Sequence, residues 1–192
     1  MKIAICQINP IVGDFDYNHN LLLKYYKNSI GLNADIIVYP ELVISGYPPQ
    51  DLLWEDGFVD QNLLILNEIA SVSSTPLIFG FVRKENGRLF NSAAVCFDGK
   101  LQSTTDKILL PTYDVFDEER YFTSGDEPKV VPIPVKGKQV NLGVQICEDL
   151  WDHHYDCKVS QIQKDQGADI LINISASPYH EGRLLKRKDL IQ

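Results

Sequence analysis

The chain has 192 residues, of which 44% are hydrophobic and 23% charged, and its formal net charge is −8. This composition excludes an intrinsically disordered chain, and 12 Gly and 10 Pro without a repeat period exclude a fibrous one. The length suits one domain, and the acidic balance argues against a nucleic-acid binder, which needs a basic face.

The elements alternate short β-branched runs with amphipathic segments. Ile3 to Ile8 reads as a strand. Asp16 is positioned to cap a helix with Tyr17, Leu21, Leu22 and Tyr25 on one face. Ala34 to Tyr39 is almost continuously apolar, as buried parallel strands are. Ser45 to Pro49 is a loop, and Phe58 to Ala70 reads as a helix with Phe58, Ile65, Leu66 and Ile69 inward. Three strands follow, Leu77 to Val82, Leu89 to Phe97 and Leu101 to Lys107, joined at Asn86-Gly87 and Asp98-Gly99. Both dipeptides are hairpin signals. Gln139 to Ile146 is a strand, a weak helix lies near Val159 and Ile162, and Ala168 to Ile174 is the last strand. This order implies a layered α/β fold. Gly31 to Ile37 echoes Gln166 to Ile172. Both are helix-to-strand junctions, so the chain is expected to have two similar halves facing each other. Glu181 to Gln192 has helical composition and stops without Gly or Pro, which suggests a fragment of a longer protein.

Cys6, Cys96, Cys147 and Cys157 do not form the close pairs of a small disulfide scaffold. The start, Met1-Lys2-Ile3, lacks the long apolar region of a signal peptide. No apolar run approaches the roughly 18 residues of a membrane span. The expectation is a cytoplasmic protein with free thiols and no membrane partner.

Reactive groups in α/β sheets lie beyond the carboxyl ends of strands. Glu41, Lys107 and Cys147 each lie at or near such an end. A carboxylate, an ammonium and a thiol at one rim would make a nucleophilic site. Cys147 stands where an apolar strand meets Glu148 and Asp149, while Cys6 and Cys96 read as core. His153, His154 and Cys157 form a possible zinc cluster without the pairing or spacing of a known zinc motif. There is neither a G-x-x-x-x-G-K-[ST] phosphate loop nor a G-x-G-x-x-G turn.

Four blocks carry a resemblance. They are Tyr39-Pro40-Glu41-Leu42 with Ser45-Gly46-Tyr47-Pro48-Pro49; Lys107 with Leu110-Pro111, Tyr113, Val115-Phe116-Asp117-Glu118 and Arg120-Tyr121-Phe122; Ile146-Cys147-Glu148-Asp149 with Trp151; and Asn173 with Ser175-Ala176-Ser177-Pro178-Tyr179-His180 and Gly182. Through these the sequence resembles the nitrilase superfamily of carbon–nitrogen hydrolases. More narrowly, it is similar to the glutamine amidotransferase domains of glutamine-dependent NAD synthetases. Thr112 and Asp114 stand where Asn and Gly are usual, and Arg183 where Lys is usual.

The resemblance implies a four-layer α-β-β-α sandwich over residues 1–192, shortened at its carboxyl end, that pairs sheet to sheet with another subunit in a homo-oligomer. It implies that Glu41 is the base, Cys147 the nucleophile and Lys107 an oxyanion donor, with the backbone N–H of Glu148 as a second donor. Glu118 would position Lys107, and Tyr113, Phe116, Ser177 and Arg183 would hold glutamine. The glutaminase reaction would need no cofactor and no metal. ATP and Mg would be used by a separate synthetase domain. The competing expectations are a stand-alone amidase or carbamoylase acting on another small amide, a catalytically silent scaffold, and a zinc hydrolase.

Overall fold

The computed structural model describes residues 1–178 and 180–191. Tyr179, within one of the motifs above, and Gln192 lie outside the described residues. Strand β1 (Ile3–Ile5) is followed by helix α1 (Phe15–Gly31), strand β2 (Ile36–Val38) and helix α2 (Phe58–Ser71). Strands β3 (Leu77–Glu85), β4 (Arg88–Phe97) and β5 (Lys100–Asp106) complete a five-stranded sheet in the order β1-β2-β3-β4-β5. A second sheet holds β6 (Val130–Val135), β7 (Lys138–Ile146) and β8 (Ile170–Ile174), with helix α3 (Val159–Asp165) between β7 and β8. Helix α4 (Arg183–Leu190) follows. No helix among the described residues is long and apolar enough to cross a membrane.

The two sheets pack face to face. Ile36, Val38, Ile78, Ala93 and Val95 of the first meet Val131, Ile133, Leu142, Val144, Ile146 and Ile172 of the second in one core. The outer face of the first sheet is covered by α1 and α2, through Leu22, Tyr26, Ile65, Leu66 and Ile69 against Ile37, Phe79 and Phe81. Helix α3 covers the other sheet, where Gln163 accepts from Gln145 and donates to the carbonyl of Val144. The layers therefore run helix, sheet, sheet, helix, as expected.

The echoed segments build matching corners. Asn33 and Gly167 both take a left-handed φ, +54° and +86°. In each corner the following Ala returns its N–H to the preceding helix, to Ser29 or Gln163. Then Asp35 exchanges two hydrogen bonds with the backbone of Lys2, and Asp169 does the same with Asn141. Each aspartate thereby fixes the register of one parallel strand pair, β1 with β2 and β7 with β8.

Three readings need correction. Asp14, not Asp16, caps α1, accepting from the N–H of Tyr17 at 3.0 Å. The inward face of α1 is Asn18, Leu22, Tyr26 and Ser29, and Tyr17 is exposed. Asn18 sets this rotation, because its buried amide bonds the backbone of Ile11 and Ile44. Strand β6 was not foreseen, because Pro132 and Pro134 interrupt it. It is an edge strand, with Val131, Ile133 and Val135 inward and the prolines outward, where a missing N–H costs no ladder bond.

One contact fixes the site from below. Gly80 on β3 donates to the carbonyl of Pro40, and the Glu41–Leu42 backbone lies directly on it. An added Cβ would sit 2.6 Å from the carbonyl carbon of Glu41 and 2.7 Å from its Cα. Overpacking of this kind typically costs about 1–3 kcal/mol. Gly80→Ala is therefore expected to lower the melting temperature by about 2–4 °C per kcal/mol. An unchanged melt would show that the Glu41 turn does not rest on this contact.

Candidate active site

Three strand ends meet at one rim. Glu41 lies in the turn after β2, where Leu42 takes a φ of +43° and Leu42, Val43 and Ile44 are fully buried. Lys107 follows β5 directly. Its N–H donates to the carbonyl of Asn91, and its own carbonyl accepts from Gly125, both at 2.8 Å. Cys147 follows β7 with a φ of +47°, a left-handed conformation that is unfavourable away from Gly. Neighbours hold it there: Asp149 accepts from the N–H of Ile146 at 2.9 Å, and the amide of Asn173 donates to the carbonyl of Cys147 at 3.3 Å. The sharp turn swings the thiol out of the strand direction and towards the rim.

The acid and the amine form a buried cluster. Lys107 Nζ donates to Glu41 Oε1 and to Glu118 Oε1, each at 2.8 Å. Asn91 Nδ2 donates to Glu41 Oε1 at 2.8 Å and to Glu118 Oε2 at 3.4 Å. Tyr47 donates its hydroxyl to Glu118 Oε1 at 2.9 Å, and the N–H of Ala176 donates to Glu41 Oε2 at 3.0 Å. Glu41 and Lys107 are each 1% exposed, so solvent does not screen these charges. The Cys147 thiol contacts the hydroxyl of Ser177 at 3.2 Å and accepts from that of Ser175 at 3.5 Å. Asp149 ties the segments together, accepting from the N–H groups of Ile108 and Leu109 as well as Ile146. It thereby joins the residues after Lys107 to the residue before Cys147.

Burial works against the Lys107 ammonium, but Glu41 and Glu118 outweigh it and hold its pKa well above the usual lysine value. Burial also raises the Glu118 pKa, with Lys107 opposing and Glu41 reinforcing the rise. The Cys147 thiol is pushed up to about 12, first by burial and then by the Glu41 charge. Asp149 is raised to about 6 by burial, against the pull of its backbone donors. The thiol is thus protonated at neutral pH and needs a base to become a nucleophile. Lys107 is a permanent cation with two of its three donors engaged by carboxylates.

The remaining sequence candidates lie around this rim. The Tyr113 hydroxyl donates to both carboxylate oxygens of Glu148, at 3.0 and 2.9 Å, and Tyr155 donates to Glu148 Oε1 at 2.9 Å. The Arg183 guanidinium stacks over Trp151 at 4.6 Å, and its buried Nε has no hydrogen-bond partner among the described residues. Phe116 packs edge-on against Tyr113, with ring centroids 5.7 Å apart. It also lines a cavity of about 290 Å³ together with Tyr47, Glu118 and Tyr121. Ser177 alone among the four substrate candidates touches the thiol.

Sequence reasoning missed Asn91, Tyr47, Ser175 and the bracing role of Asp149. The available signal for Asn91 was a polar pair, Asn91-Ser92, inside an otherwise apolar strand. Cys6 and Cys96 are buried core residues, as read, and Cys157 is half-buried. His153 and His154 stack on each other, with ring centroids 3.8 Å apart. Among the described residues, no group of three or more His, Cys, Asp or Glu is arranged to hold a metal ion.

Known proteins share this fold. The family model for carbon–nitrogen hydrolases matches residues 2–191. The chain is 34% identical over 194 residues to a glutamine-dependent NAD(+) synthetase of Thermotoga maritima, covering all of this chain and 32% of that protein. It is 36% identical over 205 residues to the Synechocystis sp. enzyme of the same description, covering 98% of this chain and 36% of that one. Among solved structures, a glutamine-dependent NAD+ synthetase from Acinetobacter baumannii superposes with a TM-score of 0.88 at 31% identity, over 98% of this chain and 35% of that chain. An amidase of the nitrilase superfamily from Nesterenkonia superposes with a TM-score of 0.79 at 20% identity, over 96% and 68%, a likeness of fold. The chain spans about a third of the length of the curated relatives it matches. A family match along nearly its whole length, on two facing sheets that bring an acid, an amine and a thiol to one rim, leaves one assignment: the chain belongs to the carbon–nitrogen hydrolase family.

Proposed function

We propose that this chain hydrolyses the side-chain amide of glutamine through a Cys147 thioester. The ammonia would go to a synthetase domain that amidates deamido-NAD with ATP and Mg. The observation that carries the reading is the Glu41–Lys107 pair, buried at 2.8 Å beside a buried thiol that is protonated at neutral pH. The reading also takes in a homo-oligomeric assembly and a cytoplasmic setting.

In the first half-reaction Glu41 takes the thiol proton, and the Cys147 sulfur bonds to the amide carbon. The carbonyl π electrons move to oxygen. The third donor of Lys107 and the backbone N–H of Glu148 hold that oxyanion, a form of stabilisation that is strong in a dry site. The tetrahedral adduct collapses and the C–N bond breaks. Glu41 returns its proton to the leaving nitrogen, so ammonia departs and an acyl-thioester remains. In the second half-reaction Glu41 deprotonates a water, whose oxygen attacks the thioester carbon. The C–S bond breaks, the sulfur recovers its proton, and glutamate is released. Glu118 keeps Lys107 charged and in position. No metal or cofactor takes part in these steps.

The surroundings suit an α-amino acid. A buried carboxylate, Glu148, follows Cys147 directly, and the Arg183 guanidinium, stacked over Trp151, acts with Glu148 and Cys147 on Tyr113. Glu148 and Arg183 offer opposite charges for an α-ammonium and an α-carboxylate. Tyr113 and Ser177 supply hydroxyls nearby, and Phe116 supplies an apolar wall.

An ammonia-release assay comparing glutamine, asparagine and N-carbamoyl amino acids tests the substrate, with glutamine expected to lead. Release from N-carbamoyl amino acids instead would point to a carbamoylase, and release from none to a silent scaffold. Lys107→Met should lower the rate by about 100–1000-fold, the usual cost of one oxyanion donor. Cys147→Ala should abolish release and remove the acyl adduct from mass spectra. Full activity in either variant would overturn the site assignment.

The raised thiol gives a pH prediction. Below its pKa of about 12, Cys147 forms thiolate only by passing its proton to Glu41. In Glu41→Gln, alkylation of Cys147 should be slow at pH 7 and climb steadily as pH rises, because hydroxide then replaces the lost base. Site-resolved labelling with iodoacetamide across the pH range checks this. A flat profile at the wild-type rate would exclude Glu41 as the base.

A further inference from the structure

Asn91 lies on β4 in the centre of the buried cluster and is 1% exposed. Its backbone carbonyl receives the N–H of Lys107. Its side-chain nitrogen faces Glu41 and Glu118 together, at 2.8 and 3.4 Å. Only the nitrogen of the amide can face two carboxylates, since an oxygen there would set three acceptors against one another. The amide oxygen is thereby turned away, and it is buried without a hydrogen-bond partner among the described residues. The residue at this point is a neutral donor.

The charges explain why. Two carboxylates share one ammonium, so the buried cluster carries an excess negative charge. Like charges at short range drive one acid to hold a proton. A protonated Glu41 could not accept the Cys147 proton. A neutral double donor between the acids relieves the repulsion without adding a charge. We infer that Asn91 is a positioning residue that bridges the two glutamates without adding charge and holds Glu41 aligned as the base for Cys147. It acts through Glu41 and Glu118 and does not touch the amide substrate. The inference rests on the reading of Glu41 as the base.

The groups that face the two acids come from every side of the cluster. They are Lys107 after β5, Tyr47 from the loop after β2 and Cys147 after β7; Asp149, beyond β7, faces Lys107 and not the acids. Of the side chains that bond both acids, Lys107 brings charge, and Asn91 brings donors alone.

The test reads thiol reactivity, so it does not depend on the substrate. The rate of iodoacetamide labelling at Cys147 is followed against pH by site-resolved mass spectrometry, with folding checked by thermal melting. Asn91→Asp replaces the donor with a third carboxylate of the same shape. Its acid-side midpoint is expected to rise by about one pH unit or more, and glutamine turnover at pH 7 to fall by about 100-fold. Asn91→Ser, whose hydroxyl cannot span both acids, should shift the midpoint the same way by less, and it carries the test if Asn91→Asp does not fold. The exchanged pair Asn91→Asp with Glu118→Gln restores one amide between two carboxylates. It should bring the midpoint back towards the wild-type value.

A folded Asn91→Asp or Asn91→Ser variant with the wild-type midpoint would overturn the inference, as would an exchanged pair that leaves the midpoint where Asn91→Asp put it. Wild-type turnover of glutamine, measured in parallel, separates this from the proposed function. Turnover with an unmoved midpoint sinks the inference alone. A moved midpoint without turnover of any amide sinks the glutaminase reading alone.

Discussion

A lysine ammonium stripped of water is the constraint around which the rest of the site is organised. Removing such a charge from solvent costs several kcal/mol unless it is paired and hydrogen-bonded. Lys107 is paired with Glu41 and Glu118. That solves the lysine's problem and creates another, because two acids then exceed one base. The surplus is met by groups that donate without charge: the amide of Asn91, the hydroxyl of Tyr47 and the backbone N–H of Ala176. They come from β4, from the loop after β2 and from the segment after β8. The cluster therefore cannot form until both sheets are in place.

The same economy appears at the far ends of the strands. The corners at Asp35 and Asp169 are chemical copies, each an aspartate trading hydrogen bonds with the neighbouring strand. A left-handed residue before each corner turns the chain from helix into strand. Lys136, in the turn between β6 and β7, then reaches Asp35 at 2.9 Å and links one sheet to the corner of the other. Repetition of one junction gives two halves of like construction. Their opposite rims carry different chemistry, an acid after β2 and a hydroxyl-rich segment after β8.

Much of this was legible in the sequence. Glu41, Lys107 and Cys147 each punctuate an apolar run, and position at a strand end is a strong cue in layered α/β folds. Asn86-Gly87 and Asp98-Gly99 form turns with both residues at positive φ, as their chemistry dictates. What escaped depends on partners distant in the chain. Asn18 rotates α1 because its amide satisfies backbone atoms of two other segments, and no periodicity records that. Pro132 and Pro134 read as loop until edge position is known. Lys107 alone reads as a surface lysine, because burial of a charge is invisible until its counter-charges are found 66 and 11 residues away. Asn91 was hidden for the same reason.

The thiol and the carboxylate belong to different sheets. Cys147 ends a strand of one, and Glu41 and Lys107 follow strands of the other. Between them lies an interface of Val, Ile, Leu and Ala side chains, which attract without direction. Alignment of sulfur and carboxylate thus depends on how methyl groups interdigitate well below the rim. A small slip of one layer over the other would spoil proton transfer while leaving every strand intact. Lesions in that greasy seam would masquerade as chemical defects, and warming would silence the enzyme before melting it.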